Sequence, residues 1–191
     1  MLTLLGITLA AQAVLFAFTL TSFAAPGHRV WPPPSRRSWQ MVATWFLSWV
    51  SLSGVFLLAL LGENSLGLPP WLRLGLGVPL LALGAGLIHW GFRALSVETS
   101  LGAKGALIRS GPYRFSRNPQ YVGTCLYLAS LVLLSGSHLA AIAGLEVGLW
   151  FLATPFVEEP WLLAQYGAEY AAYCREVPRF LGVRRLLGGL A

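Results

Sequence analysis

Two short polar stretches interrupt a chain that is otherwise rich in leucine, alanine and glycine. The first, GPYRFSRNPQYVG at residues 111–123, places two arginines, an asparagine and two tyrosines directly before an apolar run. The second is the acidic pair Glu158 and Glu159, followed by Pro160. Carboxylate, guanidinium, amide and aromatic groups together suit a ligand that carries a diol, a base, a cation and a carboxylate. Because nucleoside cofactors have these features, we predict that the two stretches form one binding region.

The composition is that of a membrane protein. Of 191 residues, 56% are hydrophobic and 10% are charged, which is too apolar for a soluble domain with a polar shell. The net charge is +6, but the basic residues are scattered between apolar segments, which argues against a nucleic-acid partner. The two cysteines lie in different contexts, so we expect free thiols and no metal site. Residues 1–191 are predicted to form a single integral membrane domain.

Five apolar stretches have lengths suited to crossing a membrane. They cover residues 2–25, 41–62, 74–92, 119–135 and 139–157. Residues 1–27 contain no Lys or Arg and so lack the basic N-terminal region of a cleaved secretory signal. The first stretch is therefore interpreted as a retained span. The turn-forming sequence SGSH at 135–138 separates the last two stretches and predicts a tight helical hairpin. The predicted fold is all-α, with five transmembrane helices.

The distribution of basic residues predicts the orientation of these spans. Twelve of the thirteen lie on one side of the predicted membrane, and only Arg73 lies on the other. The positive-inside rule then places the N-terminus outside and the C-terminus in the cytoplasm. The same basic face would favour anionic membrane lipids. The preference for Arg over Lys and the small size favour a prokaryotic inner membrane. The twelve are Arg29, Arg36, Arg37, Arg93, Lys104, Arg109, Arg114, Arg117, Arg175, Arg179, Arg184 and Arg185.

The hairpin would bring the two polar stretches together on the cytoplasmic side. A pair of spans that goes out and returns through a four-residue turn must place Pro119 close to Val157. The predicted cofactor region is therefore 93–124 together with 156–180. Pro160 predicts the first turn of a new amphipathic helix with Glu158 and Glu159 at its positive end. An equally simple alternative is that this helix only rests on lipid headgroups. Its predicted apolar residues are Trp161, Leu162, Tyr166, Tyr170 and Tyr173.

The C-terminal half resembles a known family of membrane enzymes. GPYR, RNPQYVG, EEPWL, YGAEYAAY and VPR are similar, in order and spacing, to a pattern found in isoprenylcysteine carboxyl methyltransferases and their phospholipid-methylating relatives. The resemblance implies S-adenosylmethionine as cofactor. It also implies methyl transfer to a lipophilic or membrane-delivered carboxylate, thiol or amine at the cytoplasmic boundary. The cofactor-binding residues it implies are Tyr113, Arg117, Asn118, Pro119, Tyr121, Glu158, Glu159, Tyr170 and Tyr173.

One residue departs from the family pattern and bears on the identity of the methyl acceptor. Asn118 stands where the family usually has His; an amide can still form hydrogen bonds but cannot take up a proton at neutral pH. The acceptor could therefore differ from a prenylated cysteine carboxylate. An anionic acceptor would need an arginine to hold it, for which Arg114, Arg117 and Arg179 are the candidates.

Three other charged residues are given lesser roles. Glu146 lies inside the fifth predicted span, where an acid is a functional candidate by default, although its depth favours a hydrogen bond between helices. Glu98 and Lys104 are interpreted as solvated loop charges.

Two alternatives to a methyltransferase stay open at this point. One is an NADPH-dependent enzyme similar to sterol reductases, whose C-terminal sequence resembles YGAEYAAYCREVP. The other is a non-catalytic assembly or transport subunit.

Overall fold

The fold comes from a computed structural model that describes residues 1–35, 37–95 and 106–181. Glu98 and Lys104, together with Arg36, Arg184 and Arg185, lie outside the described residues.

Throughout those ranges the regular structure is helical. Four helices, α1, α2, α3 and α5, are long and apolar enough to cross a membrane, whereas α4 is a shorter apolar helix. The predicted all-α class is thus confirmed, while the count of five spans and their orientation stay predictions. The helices are α1 (Leu2–Ala24), α2 (Trp39–Leu61), α3 (Pro70–Ala94), α4 (Pro119–Ser135), α5 (His138–Tyr166) and α6 (Ala168–Glu176), with 3₁₀ turns at Pro26–His28 and Gly111–Arg114.

The predicted hairpin is present, and it consists of α4 and α5. Gly136 ends α4 in the left-handed conformation, with φ at 66°, which glycine adopts without steric cost. Ser137 then caps α5, because its hydroxyl accepts the backbone N–H of Ala140. The two helices pack against each other along the hairpin. Two residues are therefore enough to reverse the chain.

Helices α3 and α4 approach each other closely because glycines line their contact. A Cβ added to Gly84 would lie 2.7 Å from the backbone nitrogen of Tyr127 and 2.8 Å from the backbone oxygen of Gly123. By contrast, Gly75 and Gly86 have no neighbouring atoms within 4 Å of such a Cβ. Gly84 therefore allows the close packing of α3 against α4, whereas Gly75 and Gly86 do not contribute to it.

The core lies where α1, α2, α4 and α5 meet. Its centre is formed by side chains that are almost fully buried, including Leu15, Val55, Leu58 and Leu128. The α1–α5 contact is also polar, since the indole N–H of Trp150 donates to the hydroxyl of Thr19 over 2.8 Å.

The prediction that Pro160 begins a separate helix is wrong. Helix α5 continues through Pro155 and Pro160 to Tyr166 and ends only at Gly167, whose φ of 54° is unfavourable for other residues. A proline inside a helix removes one backbone hydrogen bond, a loss that apolar helices tolerate when their packing is retained. Glu158 and Glu159 consequently lie in the last three turns of α5 rather than at a helix N-terminus. The predicted amphipathic segment is divided between the end of α5 and the nine-residue α6.

Candidate functional site

A cavity opens at the end of the bundle where α4 begins and α5 ends. Its walls come from five parts of the chain: the α1–α2 connection, Leu95 at the end of α3, residues 106–108, the segment from Tyr113 to Tyr121, and the stretch from Glu158 to Tyr173. The cavity has a volume of about 140 Å³. The predicted proximity of the two polar stretches is confirmed, because the hydroxyl of Tyr121 lies 2.5 Å from Oε1 of Glu158.

Glu158 presents its carboxylate to this cavity. Two donors converge on its Oε1 atom: the hydroxyl of Tyr121 and the indole N–H of Trp31, each at 2.5 Å. Two donors on one oxygen fix the orientation of the carboxyl group. The cavity thus has an oriented acidic group in its wall.

Glu159 has a different environment, although it is the next residue. Both of its oxygens accept from Arg179, with Nε to Oε1 at 2.7 Å and Nη2 to Oε2 at 2.6 Å. Arg117 lies on the same carboxylate, with Nη1 3.0 Å from Oε1. The hydrogen bonds to Glu159 raise the pKa of Arg179, which is already fully protonated at neutral pH. We call these three residues the ion cluster; it joins α5 to the α4 N-terminal segment and to the chain after α6.

Arg117 connects the ion cluster to the cavity. Its side chain is 10% exposed, and its Nη1 also contacts the sulfur of Cys174. Its Nε atom is buried and has no hydrogen-bond partner among the described residues. A buried guanidinium N–H without a partner is costly.

Asn118 contacts the protein chain rather than acting as an isolated group. Its Nδ2 donates to the backbone oxygen of Arg179 over 2.9 Å. Beside it, the backbone N–H of Arg117 donates to the backbone oxygen of Pro178, also over 2.9 Å. Asn118 also lines the cavity. The amide therefore holds the VPR segment against the start of α4.

Tyrosines close the opposite wall of the cavity. The hydroxyl of Tyr173 donates to the backbone oxygen of Tyr113 over 2.6 Å, and the ring of Tyr170 packs edge-on against that of Tyr173 at a centroid distance of 6.1 Å. Burial raises the pKa of Tyr113, Tyr170 and Tyr173. All three phenols are therefore neutral at physiological pH and serve as donors and aromatic surfaces rather than as bases.

The structure separates the predicted site residues into two groups. Seven of them line the cavity: Tyr113, Arg117, Asn118, Tyr121, Glu158, Tyr170 and Tyr173.

The other four do not line it. Pro119 lies in a small apolar groove between α3 and α4, and Arg114 stacks over Phe115 at 4.5 Å. Glu159 and Arg179 are engaged with each other in the ion cluster.

Glu146 lies on α5 within the bundle, and its Oε2 has no partner among the described residues.

Several cavity residues were missed from the sequence. Trp31 and Pro32 reach the cavity from the α1–α2 connection, and Trp161, Leu162 and Gln120 complete its walls. The sequence signal for the first two was the stretch VWPPP at residues 30–34, where a tryptophan beside three prolines follows an apolar span. Its position gave no indication that it would fold back onto residue 158.

The sequence profile of the phospholipid methyltransferase family matches residues 72–169, which is about half of the chain. The chain belongs to this family. The match includes Arg117, Asn118, Tyr121 and the acidic pair, and it confirms the predicted relationship with membrane methyltransferases. No curated protein sequence and no solved structure gives a significant match.

The family match covers the middle of the site and not its two flanks. Trp31 precedes residue 72, and Tyr170 and Tyr173 follow residue 169, yet all three line the same cavity. Within the described ranges, no three side chains of His, Cys, Asp or Glu come together as metal ligands would. The groups available for chemistry are thus carboxylate, guanidinium, amide and aromatic.

Proposed function

We propose that this protein is an S-adenosylmethionine-dependent methyltransferase of a membrane. It would transfer a methyl group to a lipophilic or membrane-delivered acceptor with a carboxylate, thiol or amine. Transfer would take place at the cytoplasmic boundary of a multi-pass protein, which we place in a prokaryotic inner membrane. Membership in a methyltransferase family supports the reaction class.

One observation carries the proposal: the Glu158 carboxyl group faces a cavity whose lining includes seven aromatic side chains. Trp31, Trp161, Tyr113 and Tyr170 contribute ring surfaces to those walls. Aromatic faces attract cations, and a carboxyl group beside them favours the same kind of ligand. Such a cavity favours a ligand with a positively charged centre.

The residues present fit S-adenosylmethionine. The guanidinium of Arg117 would meet the carboxylate of its amino-acid portion, and Asn118 offers its amide group beside it. Glu158 would bind a ribose hydroxyl or the cofactor amine, while the tyrosine rings would pack on the adenine. The cavity of about 140 Å³ is smaller than the roughly 300–1,000 Å³ of most ligand pockets. S-adenosylmethionine would therefore extend through the mouth of the cavity.

The chain's own residues contribute alignment and exclusion of water. When bound, S-adenosylmethionine supplies an electrophilic methyl group on sulfur, and direct transfer needs no covalent enzyme intermediate. Correct alignment of two reactants contributes on the order of 7–11 kcal/mol to such a reaction. The aromatic walls keep the water content low, which strengthens the electrostatic effect of Glu158.

Roles for the arginines follow from their contacts. Arg179 and Arg117 share the carboxylate of Glu159, which compensates one of their two positive charges. Arg114 lies outside the cavity, with its guanidinium over Phe115. Of the three candidates for holding an anionic acceptor, Arg117 is thus the one that lines the cavity.

Calorimetric titration of the purified protein in detergent tests the cofactor. S-adenosylhomocysteine should bind, and NADPH should not. A heat of binding observed with NADPH but not with S-adenosylhomocysteine would support the reductase alternative. Binding of neither ligand would support a non-catalytic subunit.

The acceptor can be identified in lipid extracts. Membranes from cells with and without the protein should be compared by mass spectrometry for species that gain one methyl group. The same comparison with Glu158→Gln serves as the control, because that variant should lose the gain.

A further inference from the structure

The connection between α1 and α2 delivers the indole of Trp31 into the candidate site. Trp31 is 7% exposed, and its indole N–H donates to Oε1 of Glu158 over 2.5 Å. The two residues are 127 positions apart, and Trp31 lies outside the family match. A contact between such distant residues, one of them the cavity's carboxylate, does not follow from the family pattern.

The position of Trp31 is fixed by the backbone around it. The hydroxyl of Ser22, near the end of α1, accepts the N–H groups of both Val30 and Trp31, at 2.9 and 3.0 Å. Ser22 is 4% exposed and donates in turn to the backbone oxygen of Phe18. Because both acceptor and donor functions of the hydroxyl are used, the loop can turn in only a narrow range. Ser22 therefore controls where the indole lies.

A second contact attaches the same connection to α5. The guanidinium of Arg29 lies 5.1 Å from the ring centroid of Trp161, which is itself a cavity wall. The connection is thus fixed at three places: Ser22, Glu158 and Trp161.

We propose that Trp31 is a positioning residue for cofactor binding, acting through Glu158. With Tyr121 it holds one carboxylate oxygen from two sides, so that the charge of Glu158 stays directed at the cavity. This inference rests on the proposed function, because it requires Glu158 to contact the cofactor. It adds that a segment outside the family match sets the affinity of the site.

A double-mutant cycle tests the proposal with S-adenosylhomocysteine as the titrated ligand. Trp31→Phe keeps an aromatic ring but removes the N–H donor, and it should weaken binding roughly five- to tenfold, as expected for a typical intramolecular hydrogen bond. In the Glu158→Gln background the same change should have little further effect, because the charge that Trp31 orients is gone. Trp39→Phe is the matched control, since Trp39 is 61% exposed near the same end of the bundle.

The possible outcomes separate the two proposals. If the unaltered protein binds no S-adenosylhomocysteine, the proposed function fails and the role of Trp31 fails with it. If the unaltered protein binds and Trp31→Phe loses nothing, only the role of Trp31 is refuted. Equal losses in both backgrounds would also refute it, because they would show a structural effect independent of Glu158.

Ser22→Ala provides a second route should Trp31→Phe not fold in detergent. This change releases the loop without altering a cavity residue. It should weaken binding in the same direction as Trp31→Phe and should likewise have no effect when combined with Glu158→Gln. An effect of equal size in both backgrounds would overturn the proposal.

Discussion

Replacing Glu159 with glutamine should weaken the fold, whereas the same replacement at Glu158 should weaken ligand binding. The reason is the difference in partners. Glu159 is the anionic partner that Arg117 and Arg179 share, while Glu158 accepts from two uncharged donors and faces the cavity. Glutamine has nearly the same shape as glutamate, so both variants test charge rather than volume.

The size of the Glu159 effect follows from the burial of the ion cluster. Its side chain is 16% exposed and that of Arg117 is 10% exposed, but that of Arg179 is 31% exposed. Removing one partner of a fully buried pair costs about 3–5 kcal/mol, and solvent at Arg179 reduces this to about 2–3 kcal/mol. At roughly 2–4 °C per kcal/mol for a chain of this length, the melting temperature should fall by about 4–12 °C.

The Glu158 effect should be on affinity instead. A hydrogen bond to a charged group contributes about 1.5–3 kcal/mol, so the affinity for S-adenosylhomocysteine should fall roughly 10- to 150-fold. In the Glu158→Gln variant the amide oxygen could still accept from Trp31 and Tyr121, so we expect the melting temperature to change by less than that of the Glu159 variant.

Thermal unfolding and calorimetric titration in the same detergent check both variants. Glu169→Gln is the control, because Glu169 is exposed on α6. The reverse pattern would refute the division of roles: a stable Glu159 variant that no longer binds, together with a Glu158 variant that unfolds early but binds normally.

Three further substitutions, with Gly75→Ala as a control, test helix packing and the ligand contact of Arg117. Gly84→Ala should destabilise the protein by about 1–3 kcal/mol, because the new methyl group would meet backbone atoms; Gly75→Ala, which meets nothing, should leave the melting temperature nearly unchanged. Arg117→Lys keeps the charge but cannot reach the neighbouring carboxylate and present a second N–H to the cavity at once, so titration should show weaker S-adenosylhomocysteine binding than in the unaltered protein. Thr19→Val leaves the buried indole N–H of Trp150 without its acceptor, and denaturation should show a loss of about 1–3 kcal/mol.

The parts of the site that the sequence could predict are those fixed by chain geometry. Two apolar helices joined by SGSH must return to the same surface, so the proximity of Tyr121 and Glu158 followed from the spacing alone. The neighbouring acidic residue was grouped with Glu158 because both have the same side chain. Only the tertiary positions of Arg117 and Arg179 separate their roles.

Other features could not be predicted because they depend on competing local signals or on distant contacts. Pro160 is typical of a helix start, yet α5 passes through it and ends at Gly167, where a positive φ stops the helix. Trp31 carries no local sign of its partner, since its position depends on Ser22 and on the packing of α1 against α5.

The contribution of Trp31 limits how this protein can be dissected. A fragment reduced to residues 72–169 would retain Glu158 but would lack the indole on one side of it and the rings of Tyr170 and Tyr173 on the other. Chimaeras that exchange the first two helices with those of another member would likewise alter the ligand-contacting surface while leaving every family motif intact. Full-length chains are therefore the appropriate unit for comparing specificity.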